Sequence, residues 1–137
     1  MRRQKIALSL SALLLMGCPV FADSEPNCEN PVAQQEMNIC ANRDFEKADA
    51  ALNAVWKLAR KSAEDEDEGL EGNLKGSAAA LLAAQRGWLA YRDGNCELAG
   101  FEARGGSMEP MLVAGCLAEM TRARTKELQD FVNGPEQ

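Results

Sequence analysis

The sequence contains no histidine, which removes the commonest general base and every Ser-His or Cys-His dyad. Acidic residues are numerous, but no pair of them is set in the apolar surroundings that carboxylate acid–base catalysis requires. There is no Cys-x-x-Cys pair either, so the usual zinc-ligand spacings are missing. The sequence therefore predicts a protein that is not an enzyme and binds no cofactor.

Apolar runs long enough to cross a bilayer are also absent. The apolar run at residues 6–16 follows three basic residues and has 11 positions, whereas a membrane-spanning helix needs about 20. This pattern predicts a signal peptide over residues 1–22, cleaved after Ala22. The mature chain, residues 23–137, is then a single periplasmic or secreted domain.

A second interpretation of the leader stays open. Residues 15–18 read Leu-Met-Gly-Cys and resemble a lipobox, in which Cys18 would carry lipid and become the first residue. Anchoring through Cys18 is the only membrane contact that the sequence predicts.

Four of the five cysteines lie beyond the leader, and an even number in a small exported chain predicts two disulfides. Gly106 lies midway between Cys96 and Cys116, so an antiparallel hairpin centred there would bring these two together. Cys28 would then pair with Cys40. A rival scheme joins Cys40 to Cys96 and Cys28 to Cys116.

Apolar spacings of three and four predict an all-α fold, a small antiparallel bundle of three main helices held by two disulfides. The first helix is predicted to begin at Asn30-Pro31 and the second to cover residues 70–101. The third is predicted to be capped by Ser107 and to end at Gly134-Pro135. One face of the second helix is predicted to carry the following residues: Leu74, Leu81, Ala84, Trp88, Tyr91 and Leu98.

Five consecutive acids separate the first two predicted helices, and we expect them to form an exposed turn or the frayed start of the second helix. An EF-hand loop begun at the first acid would have Lys75 at its twelfth place instead of a bidentate glutamate, so no metal site is predicted. The five acids are Glu64, Asp65, Glu66, Asp67 and Glu68.

Four polar residues, Asp49, Asn53, Gln85 and Arg92, interrupt the apolar stripes. Antiparallel packing of the first two helices would bring Asp44 or Asp49 towards Arg86 or Arg92. We interpret this set as a buried or half-buried ion pair that fixes helix register rather than as a ligand site. The aromatic residues Trp56, Trp88 and Tyr91 are likewise expected in the core.

The charge balance limits the partners. Without the three basic residues of the leader, the formal net charge changes from −6 to −9. This charge argues against nucleic acid and anionic membranes and favours a basic protein as partner.

Four segments together resemble a known family: residues 34–41 (QQEMNICA), 48–53 (ADAALN), 84–96 (AQRGWLAYRDGNC) and 105–107 (GGS). The series is similar to the LprI-like lysozyme inhibitor family, formerly a domain of unknown function, and covers the chain from Cys28 to about Leu128. The resemblance implies an exported helical protein and inhibition of lysozyme. We expect its signature residues to be structural: Asp49, Asn53, Gln85, Trp88, Arg92 and Asp93.

The chain departs from the family at one helix start. The family usually has threonine where this chain has Ala33, three residues before Glu36, so the capping box should be lost. We therefore expect Asn30 to cap the helix one turn earlier.

These observations predict an exported acidic binding protein that inhibits lysozyme by occluding its cleft with exposed loops. The alternative is an envelope or periplasmic interaction protein, or a stress-accessory protein, without lysozyme-inhibitory activity. The candidate contacts are the five acids Glu64, Asp65, Glu66, Asp67 and Glu68, and the turn residues Gly105, Gly106 and Ser107.

Overall fold

The computed structural model describes residues 25–134, and these form three helices without a strand. They are α1 (Gln34–Asp67), α2 (Ser77–Gly100) and α3 (Glu109–Asn133), with short 3₁₀ turns at Gly72–Leu74 and Phe101–Ala103. The predicted all-α class is confirmed. The predicted leader and Cys18 lie outside the described residues. No helix within the described range is long and apolar enough to cross a membrane.

Both disulfides follow the preferred scheme. Cys28 is bonded to Cys40 and Cys96 to Cys116, each pair with a Cα–Cα distance of 5.4 Å. The first bond ties the N-terminal segment to α1, and the second joins α2 to α3 across the turn between them. Each crosslink of this kind stabilises a small domain by about 2–4 kcal/mol.

The start of α1 corrects one expectation. The helix begins at Gln34 with Ala33 as its N-cap, not at Asn30-Pro31. The Glu36 carboxylate accepts hydrogen bonds from the amides of Val32 (2.9 Å) and Ala33 (3.2 Å), and these bonds lower the pKa of Glu36. Glu36 thus satisfies two backbone amides even though residue 33 is alanine and not threonine. The helix therefore does not begin one turn earlier, at Asn30.

The acidic run also differs from its prediction. It forms the last turn of α1 instead of an exposed turn or the start of α2, and Glu68 is the C-cap. Two ion pairs between adjacent turns stabilise this helical conformation: Arg60 lies 2.8 Å from Glu64, and Lys61 lies 2.8 Å from Asp65.

The later helix starts were predicted too early. The second helix begins at Ser77 rather than residue 70, because Gly69, Gly72 and Gly76 adopt positive φ angles that no α-helix allows. The third begins at Glu109 with Met108, not Ser107, as its N-cap. It ends at Asn133, and Gly134 follows with a φ of 73°.

The core lies mainly between α1 and α3, which form the most extensive helix–helix interface. Leu52, Ala59 and Leu128 are buried there, and Trp56 and Trp88 pack against them. α2 packs against α1 and α3 along a narrow strip. Correspondingly, three residues predicted for its buried face are exposed: Leu74 (69%), Tyr91 (63%) and Leu98 (67%). Ala84 is exposed too. Because α2 carries alanine, glycine or leucine on every side, its apolar spacing does not single out one face.

Gly100 at the end of α2 packs directly against α3. A Cβ added to this buried glycine would lie 2.6 Å from Cγ2 of Val113. Only the hydrogen atom of glycine fits at this position, because a methyl group would force one of the two helices to shift.

We expect Gly100→Ala to lower the free energy of unfolding by about 1–3 kcal/mol, because the added methyl group overpacks this contact. Gly115→Ala is the matched control. It is also helical but has open space around its Cβ position, so it should gain up to about 1 kcal/mol from helix propensity. Urea denaturation measures both. Equal effects of the two substitutions would show that the close contact is unimportant.

Candidate functional site

Arg92 is the point at which all three helices meet. Its side chain is 9% exposed, and its Nη2 lies 2.8 Å from Oδ1 of Asp93 on the same helix. Nη1 donates to Oγ1 of the fully buried Thr121 on α3 at 3.2 Å and lies 3.8 Å from Oδ1 of Asp49 on α1. The guanidinium thus contacts one polar group from each helix.

Aromatic rings complete the surroundings of this cation. The guanidinium carbon lies 5.0 Å from the ring centroid of Trp88 and 5.5 Å from that of Phe45. A second cation, Arg124, lies 5.9 Å from the Trp88 ring, and its Nε donates to Oε1 of the buried Gln85 at 3.0 Å. Trp88 therefore contacts two guanidinium groups, which favour the electron-rich faces of aromatic rings.

The six signature residues predicted from the sequence lie together in this network. Asn53, the remaining member, donates to Oδ2 of Asp49 at 2.8 Å and orients that carboxylate. The expected pairing of Asp49 with Arg92 is present, whereas Asp44 pairs with Arg122 at 2.9 Å.

Sequence reasoning missed the α3 side of the network, Thr121 and Arg124. A signal for Thr121 existed, because it continues the spacing of the buried alanines Ala114 and Ala118. A polar residue at an apolar position of a helix needs a partner.

The network resembles an interior support more than a reaction centre. Asp49 and Asp93 are both held by one guanidinium, and every buried polar side-chain atom within residues 25–134 has a hydrogen-bond partner. The described residues also contain no cluster of three or more side chains suited to hold a metal ion.

The acidic end of the bundle contains a helix cap. Oδ1 of Asp67 accepts hydrogen bonds from the amides of Gly76 (2.8 Å) and Ser77 (2.9 Å), and Oδ2 accepts one from Ala78 (3.1 Å). These amide bonds lower the pKa of Asp67. Ser77 also donates its hydroxyl to Glu66. Asp67 therefore joins the end of α1 to the start of α2.

The opposite end carries the turn at residues 101–108, which is held from two sides. The Gly105 amide donates to Oε2 of Glu109 at 2.7 Å, and Arg104 pairs with Oε1 of the same carboxylate at 2.9 Å. Asn38 on α1 donates to the Ser107 carbonyl at 2.9 Å. Gly105 has a φ of 77°, a conformation that glycine adopts without strain. The predicted contacts Gly105, Gly106 and Ser107 are all exposed here.

The two sets of predicted contacts lie at opposite ends of the bundle. They are separated by the length of α2, which has 24 residues and extends about 35 Å at the usual helical rise. The structure therefore does not bring the acidic run and the glycine turn into one site.

The fold and these features define a small, disulfide-bonded helical protein with an interior polar network and two structured, exposed ends. The family model described as lysozyme inhibitor LprI matches residues 27–128, and the chain belongs to this family. An uncharacterized protein of Rhizobium meliloti (strain 1021) is 51% identical over 134 residues, which cover 95% of this chain and 96% of that protein. No solved structure matches the chain.

We expect Arg92→Met to lower the free energy of unfolding by about 2–4 kcal/mol, because it removes the cation that Asp49, Asp93 and Thr121 share. Arg122→Met is the control, since the pair of Arg122 with Asp44 is about half exposed on both sides and should contribute less than about 1 kcal/mol. Denaturant unfolding compares them. An Arg92→Met protein as stable as the wild type would contradict the register-fixing interpretation.

The cap at Asp67 should make stability depend on pH. Because its folded pKa lies below the ordinary value of 3.8, its contribution is present above the unfolded pKa and is lost as the pH falls through the folded pKa. We expect Asp67→Asn to lower the urea midpoint at pH 7, and the difference from wild type to shrink below about pH 4. Glu68→Gln changes a neighbouring carboxylate that accepts no bond from the amides at the start of α2, so it should show no such trend. A pH-independent difference for Asp67→Asn would exclude the charged cap.

Proposed function

We propose that this protein is exported and inhibits lysozyme by occluding its catalytic cleft. The observation that carries the proposal is the family match over residues 27–128. This range includes both disulfides, α1, α2 and most of α3. A binding role also accords with the network around the buried guanidinium of Arg92, which already pairs with the carboxylates of Asp49 and Asp93.

Export is supported by the cysteines and the leader pattern. Disulfides persist in oxidising compartments such as the periplasm and the extracellular space, and two are formed here. The sequence of residues 1–22 is typical of a signal peptide. We propose a periplasmic or secreted location, with a lipid anchor on Cys18 as the alternative form.

The charge of the mature chain supports association with a basic lysozyme. A formal net charge of −9 after loss of the leader creates a long-range attraction, which raises association rates at low salt. The acidic run adds to this field, although four of its five acids already bind groups within the bundle.

We assign the occluding role to the tip of the turn between α2 and α3, residues 105–107. Lysozyme works with two carboxyl groups in its cleft, so an inserted acidic segment would meet like charges. Residues 105–107 are uncharged, and their conformation is fixed by Glu109 and Asn38. A loop already held in one conformation loses little entropy on binding.

A lytic assay with the purified, disulfide-bonded protein tests this proposal. We expect inhibition at low salt that weakens as the ionic strength rises. Ser107→Glu should weaken inhibition about tenfold or more, because it places a negative charge against the cleft carboxyls. Asn73→Glu introduces the same charge on an exposed residue at the opposite end of α2 and should have little effect.

Two outcomes would contradict the proposal at different levels. Equal loss of inhibition in both variants would exclude the turn as the occluding element. Absence of inhibition of any lysozyme class, at micromolar protein and low salt, would exclude lysozyme inhibition and favour another envelope interaction or stress-accessory role.

A further inference from the structure

The outward face of α2 is unusually apolar for a surface. Tyr91 is 63% exposed, Leu98 67% and Phe101, directly after the helix, 52%. Gly87 and Gly94 lie on the same side of the helix, and a Cβ at either would meet no atom within 4 Å. We call this surface the outer face. Its other exposed members are alanines: Ala80, Ala83, Ala84 and Ala90.

The outer face repeats every seven residues. Ala80, Gly87, Gly94 and Phe101 are spaced by seven. A second row with the same spacing contains Ala84, Tyr91 and Leu98. This is the spacing at which two helices pack along a continuous seam. Small residues at such a seam allow the helix axes to approach closely, as with Gly100 and α3 in this bundle.

We propose that the outer face pairs in antiparallel orientation with the outer face of a second copy of this chain. A two-fold axis between Ala90 and Tyr91 would place Gly87 opposite Gly94, Ala83 opposite Leu98, and Ala80 opposite Phe101. Each large side chain then faces a small one. A parallel pair would instead place each large side chain against its own copy, Phe101 against Phe101 and Leu98 against Leu98.

Charge along one flank of the outer face supports the same register. Arg86, Asp93 and Glu97 lie on this flank, all exposed. In an antiparallel pair related by a two-fold axis, this flank of one chain lies beside the same flank of the other chain. At about 1.5 Å of rise per residue, Arg86 would lie about 3 Å along the axis from both Asp93 and Glu97 of the second copy. Neither Arg86 nor Glu97 forms an ion pair in the part of the chain that the structure describes.

A second copy is also a better occupant than a lipid surface. The outer face carries two acids on its flank against one arginine, and the mature chain is strongly acidic, so an anionic bilayer would repel it. A second copy supplies both an apolar surface and the acids that face Arg86. This self-association is independent of lysozyme inhibition, because the inferred pairing needs no other protein.

Sedimentation equilibrium of the purified, disulfide-bonded chain, from low to several hundred micromolar, tests the proposal. We expect a reversible dimer, and we expect Leu98→Arg to weaken it about tenfold or more by placing two charges in an apolar seam. Leu74→Arg is the matched control, because Leu74 is equally exposed (69%) but lies outside the outer face. Circular dichroism, and urea midpoints measured at concentrations where the chain is monomeric, should be unchanged in both variants, since neither side chain is buried in the single chain.

A charge exchange tests the register. Arg86→Glu should weaken the dimer, and adding Glu97→Arg to the same chain should restore it, because each copy then carries both halves of the reversed pair. A monomer at every concentration would overturn the proposal, as would a dimer that Leu98→Arg leaves intact. Binding of the monomer to neutral lipid vesicles, lost in Leu98→Arg, would also overturn it and assign the outer face to lipid.

Discussion

The buried guanidinium of Arg92 is the contact on which the arrangement of the three helices depends. It is the one charged side chain buried within residues 25–134, and it binds groups from α1, α2 and α3 at once. A buried cation is tolerated only where its partners are in place. Sliding any helix by one turn would separate Arg92 from Thr121 or from Asp49, so the network specifies one alignment among several that the apolar contacts alone would allow.

Each end of the bundle is held by a carboxylate that accepts backbone amides. Asp67 caps the start of α2, and Glu109 fixes the turn at Gly105. Together with the disulfides, these contacts order the segments between helices, where a small core contributes little. The proposed occluding turn is therefore held in one conformation. The acidic run at residues 64–68 lies about 35 Å away, at the other end of α2. In the proposed function, the acidic run therefore contributes long-range attraction to lysozyme, and the turn at the opposite end makes the contact.

α2 shows why the sequence could predict some parts of this protein and not others. The all-α class, the three helices and the preferred disulfides were predicted, since each depends on local spacing or on a hairpin centred at Gly106. The Asp49–Arg92 pair was one of several pairings expected from antiparallel packing of α1 and α2. The start of α2 was not predicted, because its cap comes from Asp67, which lies nine to eleven positions before the amides that it binds. Its buried face was ambiguous because apolar residues surround the whole helix.

The sequence by itself determined which segments are helical and which polar residues interrupt the apolar stripes, whereas it left two cysteine pairings open. Those properties follow from periodicity and from neighbours along the chain. Only the tertiary structure decided that Thr121 and Arg124 complete the network, that the acidic run ends α1, and that Tyr91 and Leu98 face outward. Each of these depends on which side of a helix finds a partner, and the partners lie on other helices, far away in the sequence.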